Sequence, residues 1–102
     1  PRLVAQGFRG PIYCTPATKD LCELLLGDSA RIQETDLERV NRRRRKRGQE
    51  PLESLYSLED VEQALRLFKP IPYHRETRIA PDARVLFTDT GHILGSAAVS
   101  LT

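Results

Sequence analysis

No apolar run in this sequence approaches the ~20 residues needed to cross a bilayer, so nothing in it is expected to span a membrane. No secretory signal is visible in it either. There is no glycine-rich phosphate loop and no internal repeat. Histidine is scarce, with only His74 and His92. Catalytic zinc takes about three protein ligands plus water, so two histidines cannot complete such a site here. Ser54 and Ser57 have no base nearby in the sequence, which argues against a nucleophilic serine. Cysteine is scarce too. Cys14 and Cys22 match neither a zinc-knuckle nor a redox spacing. They read as free, buried core thiols of a reducing compartment, with a structural disulfide as the alternative.

What is present fits one small domain or a part of a larger one. The chain has 102 residues, 39% hydrophobic and 29% charged. That is slightly poor in core formers, and a chain this short buries a modest share of its surface. It starts at Pro1 rather than Met, and its last predicted strand runs to the chain end. Both features suggest a stretch cut from a longer protein. The formal net charge of +2 is uneven. Arg42, Arg43, Arg44, Arg45, Lys46 and Arg47 form one unbroken basic run, and the remaining residues carry 10 basic against 14 acidic side chains.

Residues 1–10 read as the frayed end of a helix closed by Gly7 or Gly10. Residues 11–14 suit a buried strand. Thr15 can cap a helix with its hydroxyl, and Pro16 fits the first helical position because its missing N–H needs no partner there. The helix that follows shows helical spacing at 17, 21, 24, 25, 28 and 32. Asp28 on that stripe would face inward and would need a partner. The pattern continues through Leu37 and Val40, dissolves into the basic run, and gives way to a loop at residues 48–51. Ser57 opens a second helix, with Asp60 completing a near-capping box. Val61, Ala64, Leu65, Leu67 and Phe68 form its apolar face, and Pro70 and Pro72 stop it. Thr77 and Ile79, then Val85 and Phe87, predict two strands around a turn at Pro81-Asp82. Residues 88–96 read as a loop and 97–101 as a strand. The order of elements predicts an α/β layered arrangement.

The loop at 89–97 is the most informative stretch. His92 sits between two predicted strands, with Gly91 before it and Gly95 and Ser96 after it. Small residues let backbone approach a bulky object closely, and imidazole is a common zinc ligand. The plainer alternative is a loop histidine bonded to a nearby carbonyl. His74 reads as a solvated residue at a helix end. The basic run is open to three readings: contacts to phosphates, a solvated mobile loop, or a nuclear-localisation signal. No aromatics interleave with it, so base stacking is not supported.

Taken in order, residues 7–18, 26–34, 51–56 with 60–61, and 89–97 resemble the zinc-dependent RNA hydrolases of the metallo-β-lactamase fold, in their β-CASP branch. That branch includes relatives of the endonuclease subunit of the mRNA cleavage and polyadenylation factor. The likeness covers nearly the whole chain. It implies an incomplete part of an αββα metallo-β-lactamase sandwich, with residues 1–102 an internal segment of that domain. The family's His-x-His-x-Asp-His motif would lie upstream, and its bridging aspartate and β-CASP domain downstream. The resemblance makes His92 a zinc ligand, with Gly91, Gly95 and Ser96 shaping the loop around the metal. Asp89 is a candidate to orient the His92 ring. Arg31 departs from the pattern, since such relatives often carry His there. The expectations that follow are two zinc ions, hydrolysis of RNA phosphodiester bonds, a cytoplasmic location, an RNA partner and a homodimer of the intact protein. The segment alone would be inactive. A non-catalytic RNA- or protein-binding member of the same fold is the alternative.

Overall fold

Thr15 and Pro16 open a helix as their chemistry predicts. The computed structural model describes residues 1–102. Its elements are α1 (Arg2–Ala5), β1 (Ile12–Cys14), α2 (Pro16–Lys46), α3 (Leu58–Arg66), β2 (Phe68–Pro70), β3 (Thr77–Ala80), β4 (Ala83–Asp89) and β5 (Ala97–Leu101). The class is mixed α/β. Two compact units share α2: residues 1–9 with 23–66, and residues 10–22 with 67–102.

The first unit is helical. α1 packs on α3. Val4, Val61, Ala64 and Ala30 are buried in it. Ser57 caps α3 reciprocally. Its hydroxyl accepts from the Asp60 backbone N–H at 3.2 Å, while the Asp60 carboxylate accepts from the Ser57 backbone N–H at 2.8 Å. That is a capping box with aspartate in the place of glutamate. The segment after α2 returns along the helix and is tied to it by polar side chains. The Asn41 amide donates to the Leu52 carbonyl at 2.9 Å and accepts from its N–H at 2.7 Å. Ser29 meets the Tyr56 hydroxyl at 2.8 Å.

Three sequence expectations change here. The first is the face of α2. Leu24, Leu25 and Ile32 are exposed, and Asp28 points outward to an ion pair with Arg31 at 3.2 Å. The buried residues of α2 are Gly27 and Ala30. Small residues allow close approach, and Ser29 and Asn41 bond the returning segment, so the side carrying them packs rather than the side richest in leucine. The second change concerns the basic run, which is helix through Lys46 rather than loop. Arginine and lysine are good helix formers, and cations near a helix C-terminus offset its carbonyl dipole. The end is closed by Gly48 at φ 68°. Its N–H donates to the Arg45 carbonyl at 3.1 Å and the Gln49 N–H to the Arg44 carbonyl at 2.9 Å. This paired closure, with a left-handed glycine, is the Schellman pattern. The third change is at Phe68. α3 ends at Arg66, and Phe68 begins a strand. Lys69, preceding Pro70, is biased to extended backbone.

The second unit carries the sheets. β1 and β2 pair in parallel, with Ile12 opposite Phe68 and Cys14 opposite Pro70. Pro70 has no N–H to give, and it sits at the last position of a short two-stranded ladder, where that loss is tolerated. β3, β4 and β5 form an antiparallel sheet in that order. Pro81-Asp82 makes the β3–β4 turn, as expected. β4 pairs with β5 from Val85↔Leu101 to Asp89↔Ala97, so the strand absorbs Thr88 and Asp89 and the loop shortens to residues 90–96. Ile71, Val85 and Phe87 form the core, with Tyr13, Tyr73, Ile79 and Ala97 packed against them. Cys14 is buried, Cys22 is partly buried, and both thiols are free.

Candidate functional site

The β4–β5 connection is tied down at both of its shoulders and free at its tip. Asp89, the last residue of β4, accepts the Gly91 N–H at 2.8 Å. An aspartate bonding backbone two residues on is an Asx turn. At the far shoulder, Ser96 gathers four contacts, one of them its N–H donated to the Ile93 carbonyl at 3.0 Å. Its hydroxyl lies 2.8 Å from the Thr90 hydroxyl and accepts the Ile93 N–H at 3.3 Å. Its carbonyl accepts the Tyr73 hydroxyl at 2.7 Å.

Gly95 is the deepest residue of the loop. It is buried and has φ 87°. Its carbonyl oxygen lies 2.7 Å from the Thr15 hydroxyl and 3.0 Å from the Thr18 hydroxyl. Those two hydroxyls are 2.8 Å apart. Thr15 also caps α2 by accepting the Thr18 N–H at 3.4 Å. A carbonyl placed at a helix N-terminus is favoured by the helix dipole. A Cβ at position 95 would meet the Thr18 hydroxyl at 2.6 Å and the Thr18 nitrogen at 2.8 Å. Only glycine fits, both for its backbone angle and for this approach.

Between these anchors, His92, Ile93 and Leu94 are exposed, the last two at 66% and 75% of their surface. The His92 imidazole makes no hydrogen bond within the chain and is free to meet a group outside it. His74 is exposed at φ 59° in the turn between β2 and β3, not at a helix end, because β2 intervenes after α3.

The sequence-predicted residues therefore separate. Gly91, Gly95, Ser96 and Asp89 build the loop and His92 stands at its tip. The Asp89 carboxylate is engaged with the Gly91 N–H, on its own side of the loop. Thr15, Thr18 and Tyr73 were not legible as loop residues. Thr15 announces itself as a helix cap, but nothing in the sequence couples it to a carbonyl 80 positions on. No group of three or more His, Cys, Asp or Glu side chains converges within the chain in a way that could hold a metal ion. His92 thus fits as one exposed imidazole donor, and the other two protein ligands that a catalytic zinc takes would have to come from elsewhere.

The basic run stands at the far end of α2. Arg42, Arg43, Arg45, Lys46 and Arg47 are exposed and Arg44 is partly buried. Arg44 donates through Nε to the Glu50 carbonyl at 2.7 Å, and Arg45 to the Asn41 carbonyl at 3.4 Å.

No family model matches this chain. It is similar to segments of archaeal proteins named transcription termination factor FttA. The likeness to that of Cenarchaeum symbiosum is 34% identity over 97 residues, covering 95% of this chain and 13% of the relative. To that of Pyrococcus abyssi it is 37% over 94 residues, covering 92% and 12%. To that of a Lokiarchaeum species it is 35% over 101 residues, covering 99% and 14%. The chain spans about an eighth of the length of these relatives. No helix in the chain is long and apolar enough to cross a membrane.

Proposed function

We propose that this chain is a segment of a zinc-dependent hydrolase of RNA phosphodiester bonds, of the metallo-β-lactamase fold and its β-CASP branch, acting where transcripts are ended. The observation that carries the reading is the β4–β5 loop. Its shoulders are fixed by Tyr73, Thr15 and Thr18, and its tip offers one unbonded imidazole. Similarity to termination factors over nearly the whole chain supports the same reading.

In this account His92 would offer one ring nitrogen to a zinc ion of a two-zinc site, with the other ligands coming from outside residues 1–102. The chemistry such a site would supply is an activated water and stabilisation of charge on the phosphodiester. The chain's own contribution is positional. Gly95 lets the loop sit against the start of α2, Ser96 closes it, and the tip is thereby aimed. A misplacement of about 1 Å in such positioning can cost roughly a hundredfold in rate.

The test is cleavage of a labelled RNA by the intact protein, with a DNA oligonucleotide of the same sequence in parallel. Activity on RNA that disappears with a chelator and returns with added zinc supports the reading. RNA binding without cleavage, indifferent to chelator and zinc, would sink it in favour of a non-catalytic RNA-binding member of the same fold.

A further inference from the structure

Because the basic run is helical, its cations divide between two sides of α2. Arg44 turns toward the returning segment and is held by the Glu50 carbonyl. Asn41, one turn earlier, clasps Leu52 on the same side. On the opposite side the spacing i, i+3, i+4, i+7 aligns Arg39, Arg42, Arg43 and Lys46, and all four are exposed. Residues at those intervals share one helix face. The stripe thus takes in Arg39, which lies outside the unbroken run, and leaves out Arg44, Arg45 and Arg47.

None of these four cations is neutralised. The ion pairs of the chain are Arg31 with Asp28 and Arg84 with Glu76. Asp36 and Glu38 precede the stripe on the helix, and neither pairs with it. A helix-dipole role accounts for cations in the last turn, Arg43 to Lys46. It does not account for Arg39 and Arg42, because the effect falls off within that turn. The stripe is also pre-ordered. The Gly48 closure and the Asn41 and Arg44 clasps hold the helix end, so its backbone need not be ordered on binding. At about 1.5 Å per residue it runs roughly 10 Å, the axial length of about three nucleotides of one strand.

We propose that Arg39, Arg42, Arg43 and Lys46 form a sequence-independent contact surface for the phosphate backbone of a nucleic acid. No aromatic side chain lies in the stripe, so it reads charge and not bases. The proposal is independent of the metal reading, since a protein without hydrolytic activity would bind through the same face.

The test is fluorescence anisotropy of the full chain with a labelled single-stranded RNA, titrated across salt concentrations. Two double variants remove equal charge: Arg42→Gln with Arg43→Gln on the stripe, and Arg45→Gln with Arg47→Gln off it. Circular dichroism checks that both keep their helix. The stripe variant is expected to bind about tenfold more weakly, with a log–log salt slope shallower by about 1.4, while the off-stripe variant stays near the parent. A duplex DNA probe in parallel distinguishes the two sources of phosphate, and binding to either supports the proposal when the stripe variant weakens it. Equal loss in both variants would mean diffuse charge and overturn the stripe. So would unchanged binding in both, or binding only to phosphatidylserine vesicles.

Discussion

Gly95 is where the loop geometry depends most on a single atom. Gly95→Ala would put a methyl group against the Thr18 hydroxyl and nitrogen in a backbone region that disfavours L side chains. A cost of about 2–4 kcal/mol is expected, from left-handed strain plus overpacking, and chemical denaturation measures it. A change below ~0.5 kcal/mol would mean the loop does not sit on α2 as described. Cys14 offers a second test at this scale. Burial pushes its thiol above the ordinary cysteine range, the neighbouring Cys22 adds to this, and Lys19 partly opposes it. Thiolate is the reactive form, so Cys14 should alkylate slowly in the native chain and quickly once unfolded. Mass spectrometry after iodoacetamide would show it, and fast native labelling would contradict the burial. Residue types made both readings half-legible. A Gly-His-x-x-Gly-Ser loop and two unpaired cysteines are visible in sequence, but the Thr15, Thr18 and Tyr73 partners are not, because they reach the loop from distant positions.

Among the elements, helix starts were legible and helix faces were not. Thr15-Pro16 and Ser57-x-x-Asp60 announce themselves because capping is local chemistry. The packed face of α2 depends on what returns along it, and there Gly27, Ala30 and Asn41 outweigh the leucines. Phe68 continues the apolar spacing of α3 yet pairs as a strand, since its partner Ile12 is far away in the chain. Ser57→Ala should cost about 1 kcal/mol. The backbone N–H of Ser57, and then its hydroxyl, hold the Asp60 carboxyl below the ordinary aspartate value. A carboxyl depressed in the folded state adds stability above its unfolded pKa, and that stability is lost as pH falls through the folded value. Asp60→Asn should therefore flatten the loss of stability below about pH 4 and change little under still more acidic conditions. A melting-temperature series across pH, parent against variant, measures this. Identical acid profiles would remove the capping box from the account.

At the scale of the molecule, the exposed apolar groups are numerous. Leu24, Leu25 and Ile32 line one side of α2, and Val99 and Leu101 are open on β5. β5 has a partner on one side only, in the order β3-β4-β5. Unpaired strand edges and exposed apolar patches favour association. The 102-residue chain alone is expected to self-associate at micromolar concentration, which sedimentation velocity would report. A monomer with one sharp thermal transition would contradict this. The α/β class was legible from the order of element signals. The division into two units was not, since a single helix runs through both.

On the proposed reading, His92 would ligate a metal whose other ligands come from outside residues 1–102. The most direct measurement is the zinc content of the intact protein carrying His92→Ala, by atomic emission, beside the parent. The account predicts loss of about one equivalent of zinc together with collapse of RNA cleavage. Full zinc content and unchanged cleavage would leave His92 an ordinary loop histidine and contradict it.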